Sequence, residues 1–174
     1  PYLEDDPVDP ISVYGKSKLA AEKYLLNSNI SHTIVRANVL YSYAPATKAS
    51  FLKWVVESLK DSKAINVVSD QWNNPTSTNS LSDFINRIAL SQTSGLYHYA
   101  DRGIMSRFEF ARTIASVFDL DSSLIKPVLT SDLNQIAPRP LKSGLRTQKI
   151  NKELSIYPPE VKESLKSIYD TLIP

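Results

Sequence analysis

The sequence predicts an α/β fold, and three observations carry that expectation. Short runs rich in β-branched residues alternate with segments of helical period along most of the chain. Serines that can act as N-caps stand ahead of two of the clearest helical segments. The third is composition: 42% of the 174 residues are hydrophobic, enough to bury a core.

In chain order, Pro1 to Pro10 holds three prolines and four acids and reads as an exposed connecting loop. Ser12 is the expected N-cap of a helix to about Asn27, with Leu19, Ala20, Tyr24 and Leu25 recurring at helical spacing. Thr33 to Ala37 reads as a buried strand of the parallel type. A helix from about Lys48 to Asp61 then precedes a strand at Ile65 to Val68, and a helix from about Ser80 to Leu90 precedes a strand at Gly95 to Tyr99. Ser106 followed by Glu109 is the pattern of a capping box and starts a helix to Phe118. The tail is expected to add a strand at Ile125 to Leu129, a short helix at Thr147 to Leu154 and a closing amphipathic helix at Pro159 to Leu172.

Charge is nearly balanced, 20 Lys and Arg against 18 Asp and Glu, scattered along the chain, so no nucleic acid polymer and no membrane surface is expected as partner. No run approaches the roughly 18 apolar residues of a membrane span. The absence of cysteine removes thiol nucleophiles and thiolate metal sites and fits a cytoplasmic location. His32 and His98 stand apart from any second histidine or carboxylate pattern, so no metal is expected. The only methionine is Met105, and residue 1 is a proline, which suggests an upstream segment. The four glycines, 15, 95, 103 and 144, form no Gly-x-Gly-x-x-Gly loop, and a backbone cradle for a pyrophosphate needs one because side chains block close approach.

Val13-Tyr14-Gly15-Lys16-Ser17-Lys18 is the most informative stretch. Tyr14 and Lys18 are four residues apart, so both project from one helical face, one turn from each other. A phenol with a pKa of about 10 is a poor acid at neutral pH, but an adjacent ammonium stabilises its phenolate and brings it toward the working range. Spacing alone also suits a half-buried tyrosine beside a solvated lysine, the commoner fate of such pairs.

The run Pro10-Ile11-Ser12-Val13-Tyr14-Gly15-Lys16-Ser17-Lys18-Leu19-Ala20-Ala21-Glu22 resembles the extended short-chain dehydrogenase/reductase family, in which a proline-rich loop leads into Tyr-Gly-x-x-Lys, a small residue and Glu. Within it the chain is most similar to the dTDP-4-dehydrorhamnose reductases. Tyr2 to Pro7, Arg36 to Ser42, the Asp70-Gln71-x-x-x-Pro75-Thr76 loop, Gly95-Leu96-Tyr97-His98 and Arg139-Pro140-Leu141 with Ser143 and Leu145 carry that likeness in order. Val39 and Arg146 depart from it: the reductases tend to have Trp and an acid there.

The resemblance implies the C-terminal part of a Rossmann-like enzyme with a small substrate-binding subdomain: a catalytic helix at about 12–27, substrate-binding parts at about 38–80 and 100–174, and a dinucleotide-binding segment lying upstream. It implies reduction of a 4-keto nucleotide sugar with NADP or NAD as cofactor. Tyr14 would be the general acid; Lys18 would lower its pKa and hold the nicotinamide ribose. Asn38 would join them at the cofactor, while Gln71, Trp72, Pro75, Thr76 and Arg139 would meet the substrate, with Arg139 on its diphosphate. The family's catalytic Ser or Thr would lie upstream of Pro1. A homodimer is compatible with the likeness. Two other readings stay open: an epimerase or dehydratase using the same tyrosine, and a non-catalytic regulatory subunit resembling the β subunit of methionine adenosyltransferase. The 174 residues alone are expected to be inert.

Overall fold

A computed structural model describes residues 1–44 and 50–172. Helix α1 (Val13–Leu26) starts where the sequence places it, with the Ser12 side chain accepting from Gly15 N at 3.1 Å. Strand β1 (Thr33–Ala37) follows, then the two-residue β2 (Leu40–Tyr41). Helix α2 (Phe51–Lys60) is capped by Ser50; residues 48 and 49, where its start was expected, lie outside the described residues. After β3 (Ile65–Val68) come two more short strands, β4 (Trp72–Asn73) and β5 (Thr76–Ser77). Helix α3 (Thr78–Leu90) begins two residues before the expected Ser80, because Ser77 serves as its cap by accepting from Asn79 N.

Strand β6 (Gly95–Tyr99), the short β7 (Met105–Ser106) and α4 (Arg107–Val117) complete the middle of the chain. The capping box is present in both directions: Ser106 Oγ accepts from Glu109 N at 3.1 Å, and the Glu109 carboxylate accepts from Ser106 N at 2.8 Å. Strand β8 (Ile125–Val128), α5 (Gln148–Leu154) and α6 (Val161–Leu172) close the chain within two residues of their expected bounds. The two-residue strands β2, β4, β5 and β7 were not legible, since a residue pair has no period to read.

Three of the four strand pairs are parallel. β1 runs beside β6, Thr33 opposite Gly95 through Ala37 opposite Tyr99; β3 runs beside β8; β2 runs beside β5. β4 and β7 are antiparallel. The alternation of strand faces splits the interior into two cores. Leu81, Phe84 and Ile88 of α3 and Ile150 of α5 cover Tyr97 and Tyr99 of β6, with Phe84 and Tyr99 stacked at 4.5 Å. The larger core joins α2, α4 and α6 over β3 and β8, around Leu52, Val56, Phe110, Ile114 and Leu165.

Strand β1 is parallel as expected, but only Ile34 of it is buried. Val35 faces the α3–α5 core but is only partly covered by it, and Arg36, on the other face with Ile34, meets α1, which contributes no buried residue. Helix α1 touches the body only through half-buried positions such as Leu19, Glu22 and Leu25.

Candidate active site

Tyr14 and Lys18 meet at the head of α1 as their spacing requires, with Lys18 Nζ 5.5 Å from the Tyr14 ring centroid. The pair stands in the open: Tyr14 is 72% exposed. Among the described residues, the Tyr14 hydroxyl has no hydrogen-bond partner and Lys18 no ion pair, so their polar atoms are available to a ligand. Gly15 between them is required by contact, since a Cβ there would lie 3.0 Å from Pro10 Cβ and 3.4 Å from Ser12 Oγ. That close approach presses the proline-rich loop onto the first turn of α1.

The Glu that follows the Tyr-Lys pattern has a mechanical use. Glu22 accepts from Arg36 Nε at 2.9 Å and from Arg36 Nη2 at 2.6 Å, a two-pronged ion pair that bolts α1 onto β1. Both side chains are mostly shielded, and Glu22 holds the Arg36 guanidinium above its ordinary pKa.

The three substrate motifs converge beside this unit. Trp72 N donates to Leu141 O at 2.7 Å, and Ser143 N donates to Trp72 O at 2.9 Å, so the loop around residue 72 and the segment after Arg139 run together. The Asn38 amide donates to the Ser143 carbonyl, while its Oδ1 accepts from Val39 N at 3.0 Å. Asn74 Oδ1 accepts from Leu145 N at 2.7 Å. Gly144 admits this crossing, because a Cβ there would lie 3.0 Å from Ile104 Cδ1.

Asp101, fully buried, anchors the assembly from below. Its carboxylate accepts from Ser77 N at 3.0 Å, from Ser80 Oγ at 2.5 Å and from Tyr41 Oη at 3.4 Å. Burial pushes the Asp101 carboxyl above the ordinary range, and the bonds from Ser80 and Ser77 pull it back. Sequence reading did not single out Asp101; its role depends on strand β6 ending beneath the start of α3.

Gln71 and Arg139 line a cleft of about 220 Å³ together with Phe51, Trp54, Arg107 and Gln135. Gln71 is nearly buried and its Nε2 donates to Thr130 Oγ1 at 3.0 Å. Trp72 lies outside the lining of this cleft, and Trp54 is the tryptophan in its wall. Thr76 is fully buried and its hydroxyl donates to Asn74 O at 3.2 Å, so in this structure it holds the loop; Pro75 is buried beside it. A larger cleft of about 520 Å³ lies between His32 and the end of α3 and contains none of the motif residues. Tyr14 and Lys18 line neither cleft.

A parallel β1–β6 pair carrying a Tyr-x-x-x-Lys helix, with a lobe of short strands and helices next to it, is the arrangement of the extended short-chain dehydrogenase/reductases. Within them the chain belongs to the family described as RmlD substrate binding domain, whose profile matches residues 1–173. It is 32% identical over 166 residues to the spore coat polysaccharide biosynthesis protein SpsK of Bacillus subtilis (strain 168), covering 95% of this chain and 56% of that protein. It is 32% identical to dTDP-4-dehydrorhamnose reductase of Sinorhizobium fredii over 99% of this chain and 61% of the enzyme. Among solved structures, dTDP-4-dehydrorhamnose reductase from Bacillus anthracis in complex with NADP superposes with a TM-score of 0.88 at 29% identity, over 97% of this chain and 58% of that one. The chain therefore spans under two thirds of the length of these relatives.

Proposed function

We propose that the protein carrying this chain reduces the 4-keto group of a nucleotide-linked sugar, with Tyr14 as the group that delivers a proton to the carbonyl oxygen. The observation that carries the reading is the Tyr14–Lys18 pair, 5.5 Å from ring to ammonium on a solvent-facing helix, in a chain related to dTDP-4-dehydrorhamnose reductase. Lys18 has two uses here. One is to stand over the Tyr14 ring, 5.5 Å from its centroid, and the other would be to offer its donors to ribose hydroxyls.

NADP or NAD fits one end of this site: Lys18 and Tyr14, whose polar atoms have no partner among the described residues, suit a nicotinamide ribose, with Asn38 lying toward the substrate lobe. A nicotinamide cofactor bound there would supply the hydride. This chain's own glycines form no pyrophosphate cradle, so the rest of the dinucleotide would be held by a segment outside these residues. Gln71 and Arg139 would meet the substrate from the 220 Å³ cleft, Arg139 through its diphosphate. Trp72 and Thr76 support the substrate loop in this reading, and Thr76 does so through its backbone and its bond to Asn74.

An epimerase or dehydratase, and a regulatory subunit without chemistry of its own, rank behind this reading because the relative with a stated reaction described above is a reductase. The test is oxidation of NADPH by the intact protein with dTDP-4-dehydrorhamnose. Tyr14→Phe removes the acidic proton with little change in packing and should lower turnover on the order of 100-fold or more. Unchanged turnover in that variant removes Tyr14 from the mechanism.

A further inference from the structure

We infer that Arg107 is the second cation of a nucleoside-diphosphate site whose first is Arg139, with Phe51 and Trp54 as its aromatic wall. The inference rests on the nucleotide-sugar reading above and assigns the end of the ligand that is not reduced.

Arg107 is the first residue of α4 and Arg139 belongs to a loop more than thirty residues later, yet both line the 220 Å³ cleft. No acid is among the lining residues, and among the described residues neither arginine has an ion pair. The Asp70 carboxylate, next to Gln71 in sequence, is already engaged: it accepts from Thr130 N at 3.0 Å and from Thr130 Oγ1 at 2.7 Å. Two guanidinium groups thus share a partly enclosed space with no countercharge among the described residues.

Two like charges held this way cost free energy unless an anion is bound between them. Burial, and then the charge of Arg139, hold the Arg107 guanidinium below its ordinary pKa. An arginine nevertheless stays protonated at working pH, so the repulsion persists until an anion enters. A diphosphate matches two guanidinium forks better than a single carboxylate does, because each phosphate can take paired hydrogen bonds.

The remaining walls suit a nucleoside. The Arg107 guanidinium lies 5.5 Å from the Phe51 ring centroid, within cation–π range, so the ring supports the cation without taking up its hydrogen-bond donors. Trp54, 5.5 Å from Phe51, is still 43% exposed and offers a flat face to a base. Gln135 Oε1, in the same lining, is buried without a partner among the described residues, an acceptor that a ligand N–H can satisfy. The volume is below the roughly 300–1,000 Å³ of pockets that enclose a whole ligand, so the nucleotide part fits inside and the sugar extends beyond.

Titration calorimetry on the intact protein with thymidine diphosphate, thymidine and inorganic pyrophosphate tests the assignment. Arg107→Gln should weaken thymidine diphosphate and pyrophosphate by about 10- to 100-fold, the scale of a lost charged hydrogen bond, while leaving thymidine within about twofold. Arg107→Lys should recover part of the loss, which a packing role would not produce, and should decide the matter if the glutamine variant folds poorly. In turnover, the substrate KM should rise with kcat nearly constant. Thymidine diphosphate binding within about twofold of wild type in both Arg107 variants overturns the inference. If binding depends on Arg107 but no 4-keto sugar is reduced, the site stands and the reductase reading falls; if reduction proceeds and Arg107→Gln moves neither affinity nor KM, the site falls alone.

Discussion

His98 shows what a single buried residue can add to this fold. It is 1% exposed, on the face of β6 opposite the α3–α5 core, and neither ring nitrogen has a hydrogen-bond partner among the described residues. Burial pushes its pKa down; the nearby Glu4 carboxylate pulls it up, Arg36 pushes it down, and the carbonyls of Tyr2 and Arg146 favour the proton without reaching bonding geometry. The native ring is therefore neutral where an unfolded histidine, with a pKa of about 6.5, begins to take a proton. The unfolded state then binds more protons than the native one, so stability falls as pH drops from about 7 through 6.5. His98→Phe should flatten that part of the melting temperature against pH, and a slope unchanged from wild type would contradict the account. The sequence put His98 on a strand and paired Tyr14 with Lys18, because one strand and one helical turn are local geometry. Arg107 and Trp54 were illegible at this scale: nothing in their neighbourhoods along the chain says that the first turns of α2 and α4 will open onto the same cleft.

Among the elements, α1 is the one whose attachment is easiest to break. It buries no residue, so its hold on β1 depends heavily on the Glu22–Arg36 pair and on the loop pressed against Gly15. Glu22→Ala leaves the Arg36 guanidinium half-buried without its partner, a loss of about 1–3 kcal/mol. Because the larger core does not include α1, that loss should appear as fraying of α1 and lowered turnover, with a smaller drop in the melting temperature of the whole chain. Circular dichroism melts beside the activity of the intact protein check this, and full activity in Glu22→Ala would show that α1 is positioned by other contacts. At this scale the sequence was informative wherever a cap or a period marks a boundary, as with Ser12, Ser106 and Glu109. It was silent on the two-residue strands, which exist only because partners distant in the chain, such as Leu40 and Thr76, come into register. It also gave the Glu after Tyr-Gly-x-x-Lys as part of a pattern, without the reason, which lies in a residue fourteen positions away on another element.

For the molecule as a whole, the distribution of apolar surface sets an expectation about how these residues are used. Two cores close over α2 to α6, and α1 lies outside both, with Val13 85%, Tyr14 72% and Tyr24 77% exposed. Large apolar side chains left in water carry a cost, and covering them recovers about 25 cal/mol for each Å² removed from solvent. We expect the cover to come from a dinucleotide-binding segment that accompanies this chain in the intact protein, which would also set a cofactor against Tyr14 and Lys18. Hydrogen exchange separates the possibilities because local opening is read element by element. In the 174-residue chain alone, the amides of α1 should exchange much faster than those of α4, which places Phe110, Ala111, Ile114 and Ala115 in the larger core, and no NADPH should be consumed. In the intact protein, α1 should gain protection while α4 changes little. Equal protection of α1 and α4 in the isolated chain would mean that Glu22 and the Gly15 contact hold the helix unaided, and the need for a covering segment would have to be argued from the cofactor alone.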